Sequence, residues 1–401
     1  MTMTDVSTVA RARWLAVFSV AVGTFTIVTS EMLPVGVLTS IAATLGVSDG
    51  TAGLMMSAPG LVAAVSAPVL AITARRLDRR VTLLGLMALL AVANLAAAFA
   101  PNYPVMLAAR VLTGVSIGGF WAFAAGLGLR LVPERSVGRA TSIILAGVSV
   151  ASVLGVPAGT FISSFAGWRT AFVSMGVLAL ALLALLATAL PPLPGESRAE
   201  AAEPSPHGPP SPAPEGLLSR LSGPLKVVLL LTVLIVSGHF AAYTYVRPFL
   251  EQVSHAGPAF VSVALLLYGV AGVVGNFVAG AWAARNPRPV LVTLAALIAL
   301  STAALPLAGL PLIMLVVWGL GYGGVGVTLQ LWIMRSGGGE MGTALFVSAF
   351  NVSIALGSFA GGRIVDGVSL SAVMWVGAAL AVVSAAVSGM SRTAGSPEGR
   401  T

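Results

Sequence analysis

The stretch from Pro191 to Gly223, PPLPGESRAEAAEPSPHGPPSPAPEGLLSRLSG, separates two long apolar halves of the chain. It is rich in Pro, Glu and Ser and carries no face whose burial could offset its ordering entropy, so it predicts a flexible linker. About half of the 401 residues lie on either side of it. Hydrophobic residues make up 57% of the chain and charged residues only 8%, with a mean hydropathy of +0.98. So little charge is incompatible with a soluble protein of this length and is what lipid-facing helices require. The apolar runs are long and continuous rather than alternating strands of about ten residues, which excludes a transmembrane barrel. The predicted fold class is therefore an all-α membrane protein.

The absence of cysteine excludes disulfides, thiol chemistry and thiolate metal sites. A formal charge of +8 would suit nucleic acid only if the basic residues formed a continuous surface. They fall instead in alternate short connections, so no nucleic-acid partner is expected.

Counting outward from the linker gives six apolar spans on each side, each about the length that crosses a bilayer. They lie at roughly 14–38, 51–73, 81–100, 105–129, 140–164 and 170–190, then 225–250, 258–283, 289–307, 311–333, 341–363 and 369–390. The expected organisation is a six-helix bundle over 1–190, the linker 191–223, and a second bundle over 224–401. The first span is too long for a signal-peptide core and lacks an A-x-A site, so it is expected to stay in the mature protein. Arg11 and Arg13 precede the first span, Arg75, Arg76, Arg79 and Arg80 fill the second connection, and Arg130, Arg135 and Arg139 the fourth. Arg198 and Arg220 lie in the linker with Lys226 just beyond it, Arg285 and Arg288 fill the eighth connection, Arg335 the tenth, and Arg392 and Arg400 the tail. The intervening connections are nearly free of basic residues, which predicts cytoplasmic termini and a cytoplasmic linker.

The halves also read as repeats. Gly114 and Gly118 recur as Gly319 and Gly323, and Gly155 and Gly159 as Gly357 and Gly361. Val148-Ser149-Val150-Ala151 recurs as Val352-Ser353-Ile354-Ala355. Two small-xxx-small pairs in corresponding spans point to a duplication, hence to two pseudo-symmetric bundles, the plan of an alternating-access transporter.

Arg110-Val-Leu-Thr-Gly114 in the fourth span and Gly147 through Gly155-Val-Pro157-Ala-Gly159 in the fifth resemble the fourth-span and antiporter motifs of the major facilitator superfamily, in particular of its twelve-span proton-antiporting drug-efflux branch. Ser30-Glu31-Met-Leu-Pro34, Gly118-Gly119-Phe120-Trp121 and His239-Phe-Ala-Ala-Tyr243 resemble the bacterial purine-ribonucleoside and sugar or arabinose efflux permeases. The resemblance implies a multi-pass protein of the bacterial inner membrane that exports small molecules against protons, without a cofactor and as a monomer. A multidrug or chloramphenicol-type exporter is the alternative within the family, a facilitator or uptake permease a further one. The loop after the second span departs from the family pattern. It reads Ala71-Ile-Thr-Ala-Arg75-Arg76-Leu-Asp78-Arg79-Arg80, with Ala71 and Arg75 where the family has Gly and Asp. In the family this loop latches the cytoplasmic helix ends, so Arg75, Arg76, Asp78, Arg79 and Arg80 are the expected latch.

Glu31 is the acidic side chain clearly inside a span. Leaving it ionised in hydrocarbon costs at least about 2.5–3.5 kcal/mol, so it must face a cavity, pair, or take up a proton. At 1.5 Å per residue, Glu31 and Arg110 both come about 9–10 Å below the outer boundary, which permits a pairing. They form the expected proton-coupling pair, with His239 as a second proton carrier. A structural Arg110 bound to backbone carbonyls is the competing reading. Phe120, Trp121, Tyr243, Gln330, Trp332 and Asn351 are the expected substrate contacts, since aromatic faces with amide donors suit a purine or sugar ring. Gly155, Pro157 and Gly159 are expected to bend their helix and pack it against its counterpart in the other half. Arg247 and Arg363, near helix ends, are expected to snorkel.

Overall fold

The computed structural model describes residues 3–74, 76–194, 222–307, 309–336 and 339–391; most of the expected linker and Arg75 of the expected latch lie outside them. The described residues form helices α1 (Met3–Leu45), α2 (Asp49–Ala52), α3 (Leu54–Thr73), α4 (Arg79–Ala98), α5 (Tyr103–Leu131), α6 (Val137–Ala166) and α7 (Trp168–Ala189). After the linker come α8 (Gly223–Tyr243), α9 (Val246–Gln252), α10 (Pro258–Ala283), α11 (Pro287–Ala304), α12 (Pro311–Gly323), α13 (Val325–Arg335), α14 (Gly339–Gly367) and α15 (Leu370–Met390). Among them are 12 segments long and apolar enough to cross a membrane, each overlapping one of the predicted spans. Several helices run past the apolar stretch, α1 to Leu45 and α14 to Gly367, because backbone hydrogen bonding continues where hydropathy has already fallen. Large apolar side chains such as Ile72, Phe161, Phe277 and Trp282 stand exposed, a surface suited to lipid rather than water.

Starts and stops follow local chemistry. Asn102, Asn286 and Ser369 accept from the first free N–H groups of α5, α11 and α15, and prolines open α10, α11 and α12. Between α6 and α7 the chain turns at Gly167 with φ +80°, a conformation that favours glycine.

The contacts divide the chain into two units, Met1–Val47 with Ala58–Pro210, and Ser48–Ser57 with Ser211–Thr401. Within the first, α1 packs on α6 and α7, and α4 on α5 and α7. Within the second, α8 packs on α14 and α15, and α11 on α12 and α15, the same pattern at corresponding spans. The repeated glycines mark a further crossing, of α3 with α5 and of α10 with α12. A Cβ on Gly114 would meet the Pro59 backbone of α3 at 2.7–2.8 Å, and one on Gly319 would strike the Tyr268 backbone of α10. Both pairs therefore mark the same helix crossing, once in each unit.

The short segment Ser48–Ser57 packs within the second unit. Gly50 N–H donates to Asp366 Oδ1 (3.0 Å), Ser48 Oγ lies 2.7 Å from Asp366 Oδ2, and Gln252 Nε2 donates to Asp49 Oδ2 (2.7 Å). Arg247 is buried and paired with Glu251 at 2.7 Å rather than snorkelling, because a carboxylate one turn on satisfies it in place. Arg363 is exposed, as expected.

The antiporter-motif glycines pack inside the first unit. Gly147, Gly155 and Gly159 form a stripe on α6 that faces Ala21, Thr29 and Leu33 of α1, inside the first unit. A small-residue stripe records that something comes close, not which helix it is.

In the connection after α3, Asp78 caps α4, accepting from Arg80 N–H at 2.7 Å, and also accepts from Leu193 N–H at 3.1 Å. Arg79 N–H donates to Leu193 O (2.8 Å), Arg80 Nη2 to Ala187 O, and Arg130 Nη1 to Pro194 O at 2.9 Å; Arg76 is exposed. The loop thus clips the chain leaving α7. Asp78→Ala is expected to cost about 1–2 kcal/mol of stability through the lost cap and to speed amide exchange at Leu193. Hydrogen exchange with unchanged protection there would show that Asp78 does not hold this segment.

Candidate functional site

The polar groups of the first unit meet where α1, α4 and α5 approach. Pro34 lies inside α1 and has no N–H, so the carbonyl of Ser30, one turn earlier, loses its helical donor. Arg110, fully buried on α5, supplies the replacement: Nη1 donates to Ser30 O at 2.9 Å and Nη2 to Glu31 O at 3.0 Å. The planar fork of the guanidinium suits two adjacent carbonyls. The backbone bonds of the competing reading are present, and they set Arg110 beside Glu31. One arginine does both, standing at Glu31 by gripping its main chain.

Asn94 of α4 completes the group. Its Nδ2 donates to Ser30 Oγ (3.1 Å) and Leu90 O (2.9 Å), while its Oδ1 is buried with no hydrogen-bond partner among the described residues. Asn94 was not among the expected site residues. An amide inside an otherwise apolar span was the available signal, since such a group must find partners. Glu31 itself is 7% exposed.

Phe120 is buried against Gly23 of α1 and meets Trp121 edge-on, with ring centroids 6.2 Å apart. Trp121, partly buried, lines a small pocket of about 80 Å³ with Ala124, Thr141, Ile144 and Leu145. A larger open hollow of about 610 Å³ lies in the second unit between the loops around His255 and Pro306, away from these residues.

In the second unit, His239 and Tyr243 stand one turn apart on α8 and enter a buried aromatic group that the sequence reading named only in part. Trp318 and Tyr322 on α12, Tyr268 on α10 and Phe240 are its other members. The His239 imidazole stacks on Tyr322 with centroids 3.3 Å apart and planes 5° apart, and Trp318 Nε1 donates to His239 Nδ1 at 3.1 Å. The pairs 239/243 and 318/322 each have i, i+4 spacing, which places both members on one helix face. That periodicity was the legible clue to Trp318 and Tyr322. Gln330 donates to Thr343 Oγ1 (3.2 Å), Asn351 to Val347 O in its own helix (2.9 Å), and Trp332 is half-buried. The hydrogen bonds of Gln330 and Asn351 thus run to partners outside the aromatic group.

A family model described as Major Facilitator Superfamily matches residues 20–348. The chain is 35% identical over 392 residues to the transcription regulatory protein OpdE of Pseudomonas aeruginosa, covering 96% of each. It is 30% identical over 386 residues to the purine ribonucleoside efflux pump NepI of Salmonella paratyphi B, covering 94% of each. Among solved structures, a bacterial homolog of the human lysosomal transporter Spinster matches with a TM-score of 0.71 at 15% identity, over 94% of this chain and 96% of that one. The nucleoside transporter NupG matches with a TM-score of 0.73 at 12% identity, over 94% of this chain and 98% of that one.

Proposed function

The chain belongs to the Major Facilitator Superfamily, and from that membership we propose that it is a proton-coupled efflux permease working by alternating access. Its substrate is a small polar or amphiphilic molecule, of purine-nucleoside type ahead of sugar type. The observation that carries the reading is the buried Glu31 carboxyl with the Arg110 guanidinium bonded to the main chain of the same residue. A carboxylate in a membrane span is stabilised either by a proton or by a nearby positive charge. Glu31 has access to both, so substrate arrival can exchange for a proton there and reprotonation can release the substrate. The resemblance to pumps named for purine ribonucleoside efflux supports the substrate class. The charge pattern of the loops supports cytoplasmic termini in a bacterial inner membrane, and Arg76, Asp78, Arg79 and Arg80 then belong to the cytoplasmic side. One relative is named for transcription regulation; an exporter that depletes an inducer affects transcription through transport alone.

The test is substrate-triggered proton movement in inside-out vesicles holding a pH gradient, with inosine, adenosine, arabinose and chloramphenicol as the panel. Gradient loss is expected with the nucleosides and is expected to vanish in Glu31→Gln. A response to chloramphenicol alone would favour the multidrug reading. An unchanged response in Glu31→Gln would remove Glu31 as the proton carrier.

A further inference from the structure

We propose that the aromatic group around His239 is a purine slot that the protein fills with its own imidazole when no substrate is bound. The inference rests on the purine-type reading above and names where in the second unit the base is held. Three rings form a stacked column, His239 with Tyr322 (3.3 Å, 5°) and with Tyr243 (5.0 Å, 20°), and Tyr268 lies near-parallel beside it, 6.4 Å from His239 and 4.8 Å from Tyr243. Two rings stand across this column and close its edges. Trp318 meets His239 at 73° and Tyr243 at 89°, and Phe240 meets His239 at 88°. Stacked faces with perpendicular edges suit one flat ring and no saturated one.

The hydrogen bond identifies the guest's chemistry. An indole N–H can only donate, so the Nδ1 that receives it carries no proton and the imidazole is the neutral Nε2–H tautomer. The slot therefore holds a flat, uncharged five-membered ring that turns an in-plane nitrogen acceptor towards Trp318. A purine presents this same pattern through its imidazole portion, where N7 is an in-plane acceptor. Arabinose offers neither the π face nor the ring nitrogen. Tyr322 is the partly exposed member of the group and marks the side of entry, whereas His239 and Trp318 are buried. Rotation of the His239 side chain out of the column vacates the place between Tyr322 and Trp318, and the purine takes over both the stacking and the indole hydrogen bond.

The experiment measures equilibrium binding of inosine, adenosine and arabinose to the purified full chain in lipid nanodiscs, for wild type, His239→Ala and the double variant His239→Ala/Trp318→Phe. Removing the internal guest is expected to tighten inosine binding by about tenfold, and removing the indole donor as well to weaken it by about tenfold from that level; with His239 in place the donor is shared by guest and purine, so its loss alone cancels. Free imidazole at millimolar concentration is expected to compete with inosine in His239→Ala and to have no effect in wild type. A folded His239→Ala protein whose inosine affinity is unchanged or weaker would overturn the proposal and make His239 a wall of the core. Should His239→Ala fail to fold, His239→Ser decides on the same reading: tighter inosine binding upholds the slot, and unchanged or weaker binding overturns it. Binding of arabinose but of no purine, in all three proteins, would instead defeat the substrate class on which the inference rests.

Discussion

Arg110→Leu is expected to abolish export and to destabilise the first unit by several kcal/mol. The expectation follows from Pro34. By removing one N–H from the middle of α1 it frees the Ser30 carbonyl, and Arg110 bonds that carbonyl and its neighbour at 2.9 and 3.0 Å. In a buried, lipid-surrounded helix an unsatisfied carbonyl costs about 1–3 kcal/mol or more. Leu removes the donors without replacing them, and it also removes the positive charge beside Glu31. Arg110→Lys keeps the charge but offers a single ammonium where two carbonyls need a fork, so it is expected to recover charge-dependent transport poorly and stability only in part. The decisive control is Pro34→Ala, which returns the missing N–H to Ser30. In that background Arg110→Leu is expected to cost less stability, while export stays lost because the charge is still absent. Thermal unfolding and vesicle transport across this double-mutant cycle separate the two duties. Equal stability losses in both backgrounds would show that Arg110 does not serve the carbonyl that Pro34 frees.

Gly147→Val is expected to have the second largest effect. A Cβ at Gly147 would strike the Ala21 carbonyl oxygen and come within 2.9 Å of Phe25 N and 3.0 Å of Thr24 Cβ. The first two obstacles are backbone of α1, which no rotamer change can relieve, so α6 must move off α1. Overpacking of this kind costs about 1–3 kcal/mol, and more where rigid backbone blocks relaxation. Because α1 also carries Ser30, Glu31 and Pro34, the displacement is expected to reach the Arg110 bonds and abolish transport at normal expression. Gly138→Val is the matched control: the same helix and the same substitution, with nothing within 4 Å of the added Cβ. It is expected to fold and transport like wild type. Equal behaviour of the two variants, measured by thermal unfolding and uptake into inside-out vesicles, would remove the α1–α6 seam from the explanation.

Hydropathy was enough to read the twelve spans, glycine spacing pointed to the duplication, and motif residues carried the family resemblance, because each is visible locally. A span needs about twenty apolar residues whatever its neighbours, and a duplicated glycine pair is visible as spacing alone. The site was legible only as residue types. Glu31 and Arg110 stand out because charge inside a span is expensive wherever it occurs, and their common depth follows from the rise of a helix. That Arg110 grips the main chain at Ser30 and Glu31, that Asn94 joins it, and that Gly147, Gly155 and Gly159 face α1 were decided by which helix faces which. Helix rotation and neighbour choice arise from summed packing over many residues far apart in sequence, and no single motif encodes them. The same holds in the second unit. The sequence by itself determined that His239 and Tyr243 share a face of α8, but only tertiary structure brought Tyr268, Trp318 and Tyr322 from two other helices against that face. An imidazole hydrogen bond and a stacking distance are properties of helices meeting, and they exist only once the chain has folded.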